Sequence, residues 1–365
     1  MNRLQILLEQ GQSVWLDDLR RDMFASDELA EWIARGVRGL TSNPTTFEQA
    51  IARGVYDQAL RDIGHSERLD QEVFESLAIE DVRRACDLFR PVYEGSRRRD
   101  GYVSLEVSPL LARDTARSLE EARRLWRAVD RPNVMIKVPG TAEGCGAIEQ
   151  LLFEGINVNV TLLFSVAQYE AVATAHMRAL QRRRAEGRAL DAVASVASLF
   201  ISRIDSTIDR LLVSRALNDG KLSGKTAIAN AQLAYDSFMR LQAGADWQTL
   251  KEEGAMPQRL LWASTATKDP QYSDVKYLDA LVGPHTVTTV PPKTLNAFID
   301  HGSTAAQLPC DVESARMHLA ALRRAEIELE VCAAQLEKDG IEKFAASYYS
   351  LLNAIHTKRA AVRRA

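Results

Sequence analysis

The sequence of 365 residues contains little that would restrict it to a specialised class of protein. No apolar run is long enough to span a membrane, and the N-terminus lacks a charged start followed by an apolar stretch, so we expect neither a membrane segment nor a signal peptide. Acidic and basic residues nearly balance, at 49 Asp and Glu against 46 Lys and Arg, and the scattered basic residues indicate no nucleic acid partner. The few cysteines form no CxxC pair, so we expect free thiols in the cytoplasm.

Short apolar segments alternate with longer helical patterns over most of the chain. Eight strands that are each followed by a helix predict a parallel sheet with right-handed crossovers, and eight is the number that closes a (β/α)₈ TIM barrel. The alternative, an open doubly wound sheet, would need a switch point or a nucleotide fingerprint, and the sequence has neither. The predicted strands are Ser13–Leu19, Gly39–Pro44, Gly101–Pro109, Asn133–Gly140, Asn157–Ser165, Ala192–Phe200, Arg259–Thr265 and Thr286–Pro292.

Helical spacing of apolar residues fills the intervals between the strands and continues beyond the last one. The two final helices have no strand to lead into, so they must pack outside the barrel or across one of its mouths. We therefore predict a single α/β domain over residues 1–365, with the barrel at about 13–302 and terminal helices at about 310–364. The predicted helices include Asp70–Gly95, Thr115–Val129, Ala142–Phe153, Val166–Glu186, Ser202–Asn218, Lys225–Ala243, Val312–Lys338 and Ile341–Arg364.

A lysine lies near the C-terminal end of the fourth predicted strand. The segment from Asn133 to Thr141 is apolar and β-branched and contains a Pro-Gly break, so Lys137 is expected to be buried. Burying an ammonium without a partner is costly, and a common relief is a neutral amine, which can attack a carbonyl group. A lysine in a buried ion pair, or one whose stem reaches water, is the alternative interpretation.

Polar residues also lie near the C-terminal ends of other predicted strands. Side chains alternate along a strand, so residues two apart share a face, and buried parallel strands normally lack a polar face. The outward face of a barrel strand must be apolar, so we expect the polar residues to point into the C-terminal mouth, where barrel enzymes have their active sites. They are Asp17, Asn43, Glu106, Lys137, Asn159, Thr161 and Ser198; by parity, Ser104 and Ser108 share the face of Glu106, and Asn157 shares the face of Asn159.

The chemistry open to this set of residues is narrow. The six histidines occur singly, which favours neither a metal site nor a Ser-His-Asp relay. The segment from Gly220 to Thr226 is one residue short of a phosphate-binding loop and follows a helix, so we reject that function for it. An amine nucleophile, two carboxylates and a ring of amides and hydroxyls are left. This set suits imine chemistry on a polyhydroxylated carbonyl compound.

The ordered set of strand-end segments resembles the transaldolase family. Any one segment is a weak signal, but their order and spacing, from about Ser13 to about Gly302, are specific. The segments are Val14–Leu19, Thr41–Thr45, Val103–Val107, Ile136–Thr141, Asn159–Ser165, Ser198–Arg203 and Gly224–Ala231.

The resemblance implies a barrel of the class I aldolase type that needs no metal and no organic cofactor. It also implies a step of the pentose phosphate pathway, in which a dihydroxyacetone unit passes from a ketose phosphate to an aldose phosphate. The donors would be sedoheptulose 7-phosphate or fructose 6-phosphate, and the acceptors glyceraldehyde 3-phosphate or erythrose 4-phosphate. The expected partners are thus phosphorylated sugars, and the sequence is compatible with a monomer or a homodimer.

By position, the resemblance assigns roles to individual residues. Lys137 would form the Schiff base, and Glu106, with a water held by Thr161, would shuttle protons during imine formation and hydrolysis. Asp17 would take the proton from the hydroxyl whose carbon is cleaved. The hydroxyls and the carbonyl end of the bound three-carbon unit would be held by Asn43, Asn159 and Ser198.

The expected phosphate site departs from the family pattern. Arg203 would clamp the phosphate, which suits a guanidinium group. After the seventh strand, many family members have Ser-Phe-Arg, whose Ser and Arg help to bind phosphate. Here Ser264 matches, Ala266 stands where the arginine would be, and Lys268 is expected to supply the missing charge.

Two positions separate transfer from release within this family. The much shorter fructose 6-phosphate aldolases, which release free dihydroxyacetone, carry a glutamine where Glu106 stands and a tyrosine where Phe200 stands. Phe200 has the strand parity of Ser198, so it should face the barrel interior. Both positions favour transfer. The alternatives are an aldolase of that kind and a barrel that binds sugar phosphates without catalysis.

Overall fold

Eight parallel strands close into a barrel in the computed structural model, which describes residues 2–63, 67–217 and 220–362. Each strand pairs with its neighbours along the chain, and the eighth pairs with the first. The predicted (β/α)₈ TIM barrel is therefore confirmed. The strands are β1 (Gln12–Leu16), β2 (Gly39–Thr41), β3 (Tyr102–Glu106), β4 (Val134–Pro139), β5 (Val158–Leu163), β6 (Ser195–Phe200), β7 (Arg259–Ala263) and β8 (Thr286–Val290).

Helices follow the strands and cover the outside of the barrel. Several begin directly after a strand at a side chain that accepts a hydrogen bond from their first turn, as Thr141 and Ser165 do, and this satisfies a backbone donor that a helix start leaves free. The helices are α1 (Arg3–Glu9), α2 (Asp22–Ala25), α3 (Glu28–Arg35), α4 (Pro44–Ala52), α5 (Asp57–Ile63), α6 (Asp70–Gly95), α7 (Thr115–Val129), α8 (Ala142–Glu154), α9 (Val166–Ala185), α10 (Ser202–Ser214), α11 (Thr226–Ala243), α12 (Ala245–Glu252), α13 (Lys276–Ala280), α14 (Pro292–His301), α15 (Glu313–Arg324) and α16 (Leu329–Val362).

Three residues of the sequence analysis, His65, Asn218 and Arg364, lie outside the described residues; the last two are predicted helix ends. In the part of the chain that the structure describes, no helix combines the length and the apolarity needed to cross a membrane. Within the same part, no three His, Cys, Asp or Glu side chains are grouped so as to hold a metal ion.

The first two strands end earlier than the sequence predicts. β1 ends at Leu16 and β2 at Thr41, so Asp17 and Asn43 lie in the turns just beyond these strands. The side chain of Asn43 caps α4, where its Oδ1 accepts a hydrogen bond from the amide of Thr46 at 3.1 Å. The predicted strand ends are therefore wrong here, although both polar residues do reach the C-terminal mouth.

The C-terminal helices break at a different place from the predicted one. The sequence predicts helices over Val312–Lys338 and Ile341–Arg364, with a break at Gly340, whereas α16 runs unbroken through this glycine. Gly340 marks a close approach rather than a helix end, because a Cβ there would lie 2.9 Å from Cδ2 of Leu162. The actual break between α15 and α16 contains Glu326, whose φ of 60° is left-handed.

A buried ion pair fills the N-terminal mouth of the barrel. The guanidinium of Arg259 donates to Oδ1 of Asp100 at 2.9 Å and to Oγ of Ser13 at 2.8 Å. Ser13 in turn donates to Oδ2 of Asp100 at 2.9 Å, so the pair is held by a closed set of hydrogen bonds. This mouth is packed, and the large cavity of the barrel lies at the opposite one.

Candidate active site

A cavity of about 700 Å³ opens at the C-terminal mouth of the barrel. Its walls are formed by the ends of the strands, the turns that follow them and one face of α16. Glu106 and Asn159 lie just below the floor of the cavity, where they accept hydrogen bonds from the lining residues Lys137 and Ser198. The other predicted site residues line the cavity itself: Asp17, Asn43, Lys137, Thr161, Ser198, Phe200, Arg203, Ser264 and Lys268.

Lys137 and Glu106 form a buried ion pair at this floor. Lys137 Nζ lies 3.0 Å from Glu106 Oε2, and only 7% and 4% of the two side chains are exposed. Burial raises the pKa of Glu106, and the positive charge of Lys137 opposes that rise. The second oxygen, Oε1, is buried with no hydrogen-bond partner among the described residues. Glu106 therefore pairs with the amine and keeps one oxygen for a proton, a water or a substrate.

Asp17 is a second buried carboxylate of the site. Thr41 Oγ1 donates to its Oδ1 at 2.9 Å, and the side chain of Asn43 hydrogen-bonds it as well. Burial raises the pKa of Asp17, while the charge of Lys137 and these hydrogen bonds act in the opposite direction. A carboxylate with a raised pKa is a stronger base than an ordinary aspartate, which suits proton abstraction.

A chain of hydrogen bonds crosses the barrel interior next to Lys137. Ser198 Oγ donates to Asn159 Oδ1 at 2.7 Å, and Asn159 Nδ2 donates to Ser104 Oγ at 2.9 Å. Asn159 is also the β5 partner of Lys137 in the barrel register. The amide is thus held in one orientation, with a second N–H on Nδ2 for a substrate oxygen.

One part of the cavity wall is positively charged. Arg203 follows β6, and burial lowers the pKa of its guanidinium, for which no charged partner is found among the described residues. Lys268 follows β7, and its pKa is lowered by burial and by the charges of Arg203 and Lys343. Ser264 lies near them, with a left-handed φ of 56° and its hydroxyl 3.0 Å from that of Ser202. This wall can hold an anion.

α16 supplies two cavity residues that the sequence analysis missed. The ring centre of Phe344 lies 5.7 Å from Lys137 Nζ and 5.8 Å from Arg203 Cζ, and Lys343 lines the same cavity. α16 is seated on a bulge in β5, where Leu162 has a φ of 62°. The sequence allowed the terminal helices to lie across a mouth, but side-chain alternation identifies strand residues only and could not predict which helix residues line the cavity.

Two residues of the predicted polar set do not join the site. The backbone amide of Ser108 donates to Glu121 at 2.6 Å, and Ser108 lines a separate small cavity under α6 and α16. Asn157 lies at the start of β5, where its Nδ2 donates to the carbonyl oxygens of Pro132 and Val134. A shared strand face therefore does not by itself place a residue at the active-site mouth.

The fold and the site together define an enzyme of the (β/α)₈-barrel type in which a buried lysine and two carboxylates share one mouth. A family model described as Transaldolase/Fructose-6-phosphate aldolase matches residues 14–355. The chain belongs to this family.

Three curated relatives are similar to this chain over almost its whole length. The chain is 45% identical to Transaldolase 2 of Nostoc sp., with 98% of each chain covered. It is also 45% identical to the transaldolase of Thiobacillus denitrificans, over 96% of this chain and 99% of the relative. The transaldolase of Thermobifida fusca is 45% identical, with 98% of each chain covered. These relatives bear the name that the sequence resemblance predicts.

Proposed function

We propose that the enzyme is a transaldolase of the pentose phosphate pathway, which moves a dihydroxyacetone unit from a ketose phosphate to an aldose phosphate through a Schiff base on Lys137. The observation that supports this most strongly is the buried contact of Lys137 with Glu106 beside a cavity that also contains Asp17. A nucleophilic amine, a proton carrier and a second base are the groups that imine formation and carbon–carbon cleavage need. The names of the relatives support the same conclusion.

Imine formation starts with a proton transfer inside the ion pair. Lys137 must attack as a free amine, and the raised pKa of Glu106 favours its acceptance of a proton from the ammonium group. The nitrogen then bonds to the ketose carbonyl carbon, and the carbonyl oxygen leaves as water. Two ammonium protons end in that water and the third stays on the protonated imine. Thr161 Oγ1, buried without a partner among the described residues, suits a water that relays these protons.

Cleavage uses the second carboxylate. Asp17 takes the proton from the hydroxyl on the carbon that departs, and the O–H electrons form the aldehyde of the leaving aldose. The electrons of the broken carbon–carbon bond move towards the imine nitrogen, so the three-carbon unit stays on Lys137 as an enamine. The acceptor aldehyde adds by the reverse route, Asp17 returns the proton, and water releases the product ketose.

The remaining cavity residues would bind and orient the substrate. Asn43, Asn159 and Ser198 surround the position of Lys137 with fixed amide and hydroxyl groups, which suits the hydroxyls of a three-carbon unit. Arg203, Ser264 and Lys268 would bind the phosphate at the cationic wall. Both sets adjoin one cavity, so a single sugar phosphate could contact the nucleophile and the phosphate site together.

Transfer rather than release is favoured by Phe200 and Glu106. Phe200 lines the cavity, its ring centre 5.2 Å from that of Phe164, and the ring offers no hydroxyl to donate a proton or to orient a water. The enamine on Lys137 would therefore survive the exchange of one aldehyde for another.

A coupled assay with sedoheptulose 7-phosphate and glyceraldehyde 3-phosphate tests the proposal. We expect formation of fructose 6-phosphate and erythrose 4-phosphate that needs both substrates and that Lys137→Ala abolishes. Free dihydroxyacetone formed from fructose 6-phosphate alone would instead identify an aldolase. Binding of either substrate without turnover would identify a non-catalytic barrel.

We also propose that the barrel and the C-terminal helices work as one cytoplasmic domain without a cofactor, as a monomer or a homodimer. Phe344 of α16 lies close to Lys137, which supports a single working unit. The four cysteines are free thiols, as suits a reducing compartment.

A further inference from the structure

Three cationic side chains converge at one end of the active-site cavity. Arg203 and Lys268 come from the barrel and Lys343 from α16, and all three line the cavity. Among the described residues, no carboxylate lies within ion-pair distance of any of them, whereas Arg20 on the same cavity pairs with Asp18 at 2.8 Å. Cations that share a cavity repel one another, and the charge of Asp17 opposes this at Lys268 without forming an ion pair, so this cluster favours an anion.

The seating of α16 directs Lys343 towards this cluster. Gly340 of α16 passes close to the barrel, since a Cβ there would lie 2.9 Å from Leu162 Cδ2 and 3.8 Å from Arg203 Nη1. Lys343 and Phe344 follow at the third and fourth positions, which share a helix face with Gly340. The ring centre of Phe344 lies 5.8 Å from Arg203 Cζ, so Gly340 and Phe344, on one face of α16, both lie close to the guanidinium of Arg203.

The electrostatics agree with this placement. Lys343 is one of the charges that lower the pKa of Lys268, together with Arg203 and burial. Arg53 and Lys293 also line the cavity, but neither of these affects Lys268 in this way. Lys343 is therefore the additional cation that belongs to the Arg203–Lys268 cluster.

We propose that Lys343 binds the phosphate of the sugar substrates together with Arg203 and Lys268, and so adds from α16 a third cation to a site in which Ala266 offers none. Ala266 lines the cavity and offers only a methyl group. A phosphate carries up to two negative charges, and three cations from three separate elements can surround it. The inference rests on the proposed function, because it takes a phosphorylated sugar as the ligand.

Acceptor kinetics test the role of Lys343. In Lys343→Ala we expect the KM for glyceraldehyde 3-phosphate to rise about tenfold, as for the loss of a charged hydrogen bond, with little change in kcat/KM for unphosphorylated glyceraldehyde. Lys343→Arg should keep most of the wild-type KM. Lys338→Ala, which removes an exposed charge of the same helix away from the cavity, should leave both acceptors unchanged. Equal losses on both acceptors in Lys343→Ala would overturn the proposal.

Two further measurements separate this proposal from the proposed function. Ala266→Arg, added to Lys343→Ala, should restore a low KM for glyceraldehyde 3-phosphate, because it returns a cation to the same cavity. Inorganic phosphate, titrated calorimetrically, should bind about tenfold more weakly to Lys343→Ala than to the wild type, a result that needs no turnover. Unchanged phosphate binding would overturn the role of Lys343 even in an active transaldolase. Weakened binding would support it even if the assay with sedoheptulose 7-phosphate failed.

Discussion

Glu106 and Lys137 are directly paired residues of neighbouring strands, and their side chains meet at 3.0 Å inside the barrel. Paired strands lie about 4.8 Å apart, so side chains that point inward from paired positions must touch. The register of β3 with β4 thus places the proposed proton carrier beside the proposed nucleophile. Rigid strands hold both groups, and this keeps the contact independent of loop motion.

Borohydride reduction should identify Lys137 as the covalent residue. In the presence of fructose 6-phosphate, reduction traps an imine, so the peptide that contains Lys137 should gain a three-carbon unit detectable by mass spectrometry. Lys137→Ala should fold and remain unlabelled. A label on any other lysine, or no label on the wild type, would contradict the assignment.

The stability of Lys137→Ala should depend on pH through Glu106. Without Lys137, nothing equivalent opposes the burial that raises the pKa of Glu106 above its ordinary value of 4.5. When the pKa of a carboxyl group is higher in the folded than in the unfolded state, its protonated form stabilises the folded protein at low pH. This contribution is lost as the pH rises through the folded-state pKa. The melting temperature of Lys137→Ala, measured against Lys137→Ala/Glu106→Gln, should therefore fall as the pH rises above the ordinary Glu pKa of 4.5. A difference that does not vary with pH would argue against a buried, ionisable Glu106.

Replacing Arg203 should impair phosphorylated substrates selectively. The guanidinium is largely buried, and loss of a desolvated charged contact costs about 2–5 kcal/mol. Arg203→Ala should lower kcat/KM for glyceraldehyde 3-phosphate by that amount and for glyceraldehyde much less, and Lys268→Ala should show the same bias more weakly. Similar losses for both aldehydes would mean that neither residue recognises phosphate.

Adding a hydroxyl at Phe200 should convert transfer into release. Phe200→Tyr would place a proton donor next to the enamine, and Glu106→Gln in addition should push the reaction further towards free dihydroxyacetone. Each tenfold change corresponds to about 1.4 kcal/mol in a barrier, so one hydroxyl is large enough to matter. Phe200→Leu is the control, since it alters packing without adding a donor. If the tyrosine variant loses transfer and gains no release, Phe200 is a packing residue only.

Breaking the ion pair at the N-terminal mouth should lower stability and spare catalysis. Arg259→Leu leaves Asp100 buried without its cation, which costs about 3–5 kcal/mol. Activity per folded molecule should be unchanged, because the pair lies at the mouth opposite the cavity. Arg259→Leu/Asp100→Leu should recover part of the lost unfolding free energy. A large loss of kcat in either variant would show that the two mouths are coupled.

Strand periodicity predicted much of the site. Residues on β3 to β6, among them Glu106, Lys137, Asn159 and Ser198, reach or adjoin the cavity because alternation within a strand determines which side chains point inward. The same rule does not separate Asn157 from Asn159, because it gives the direction of a side chain but not its height in the barrel. It could not predict the contribution of α16, since the docking of a helix depends on contacts distant in sequence.

Gly340 shows how a local signal can mislead. A glycine just after the last periodic residue is typical of a helix end, and the predicted helices leave a gap between Lys338 and Ile341. The structure places the glycine where α16 passes Leu162 and Arg203, a contact that only the folded barrel creates.

The position of α16 over the barrel mouth also bears on the order in which the parts of the active site are synthesised. The strands that carry Glu106, Lys137 and Ser198 leave the ribosome well before Lys343 and Phe344, and domains fold as they emerge. Until α16 has docked, the mouth above Lys137 lacks Lys343 and Phe344. We therefore expect the complete active site to form with the docking of this late helix rather than with closure of the sheet.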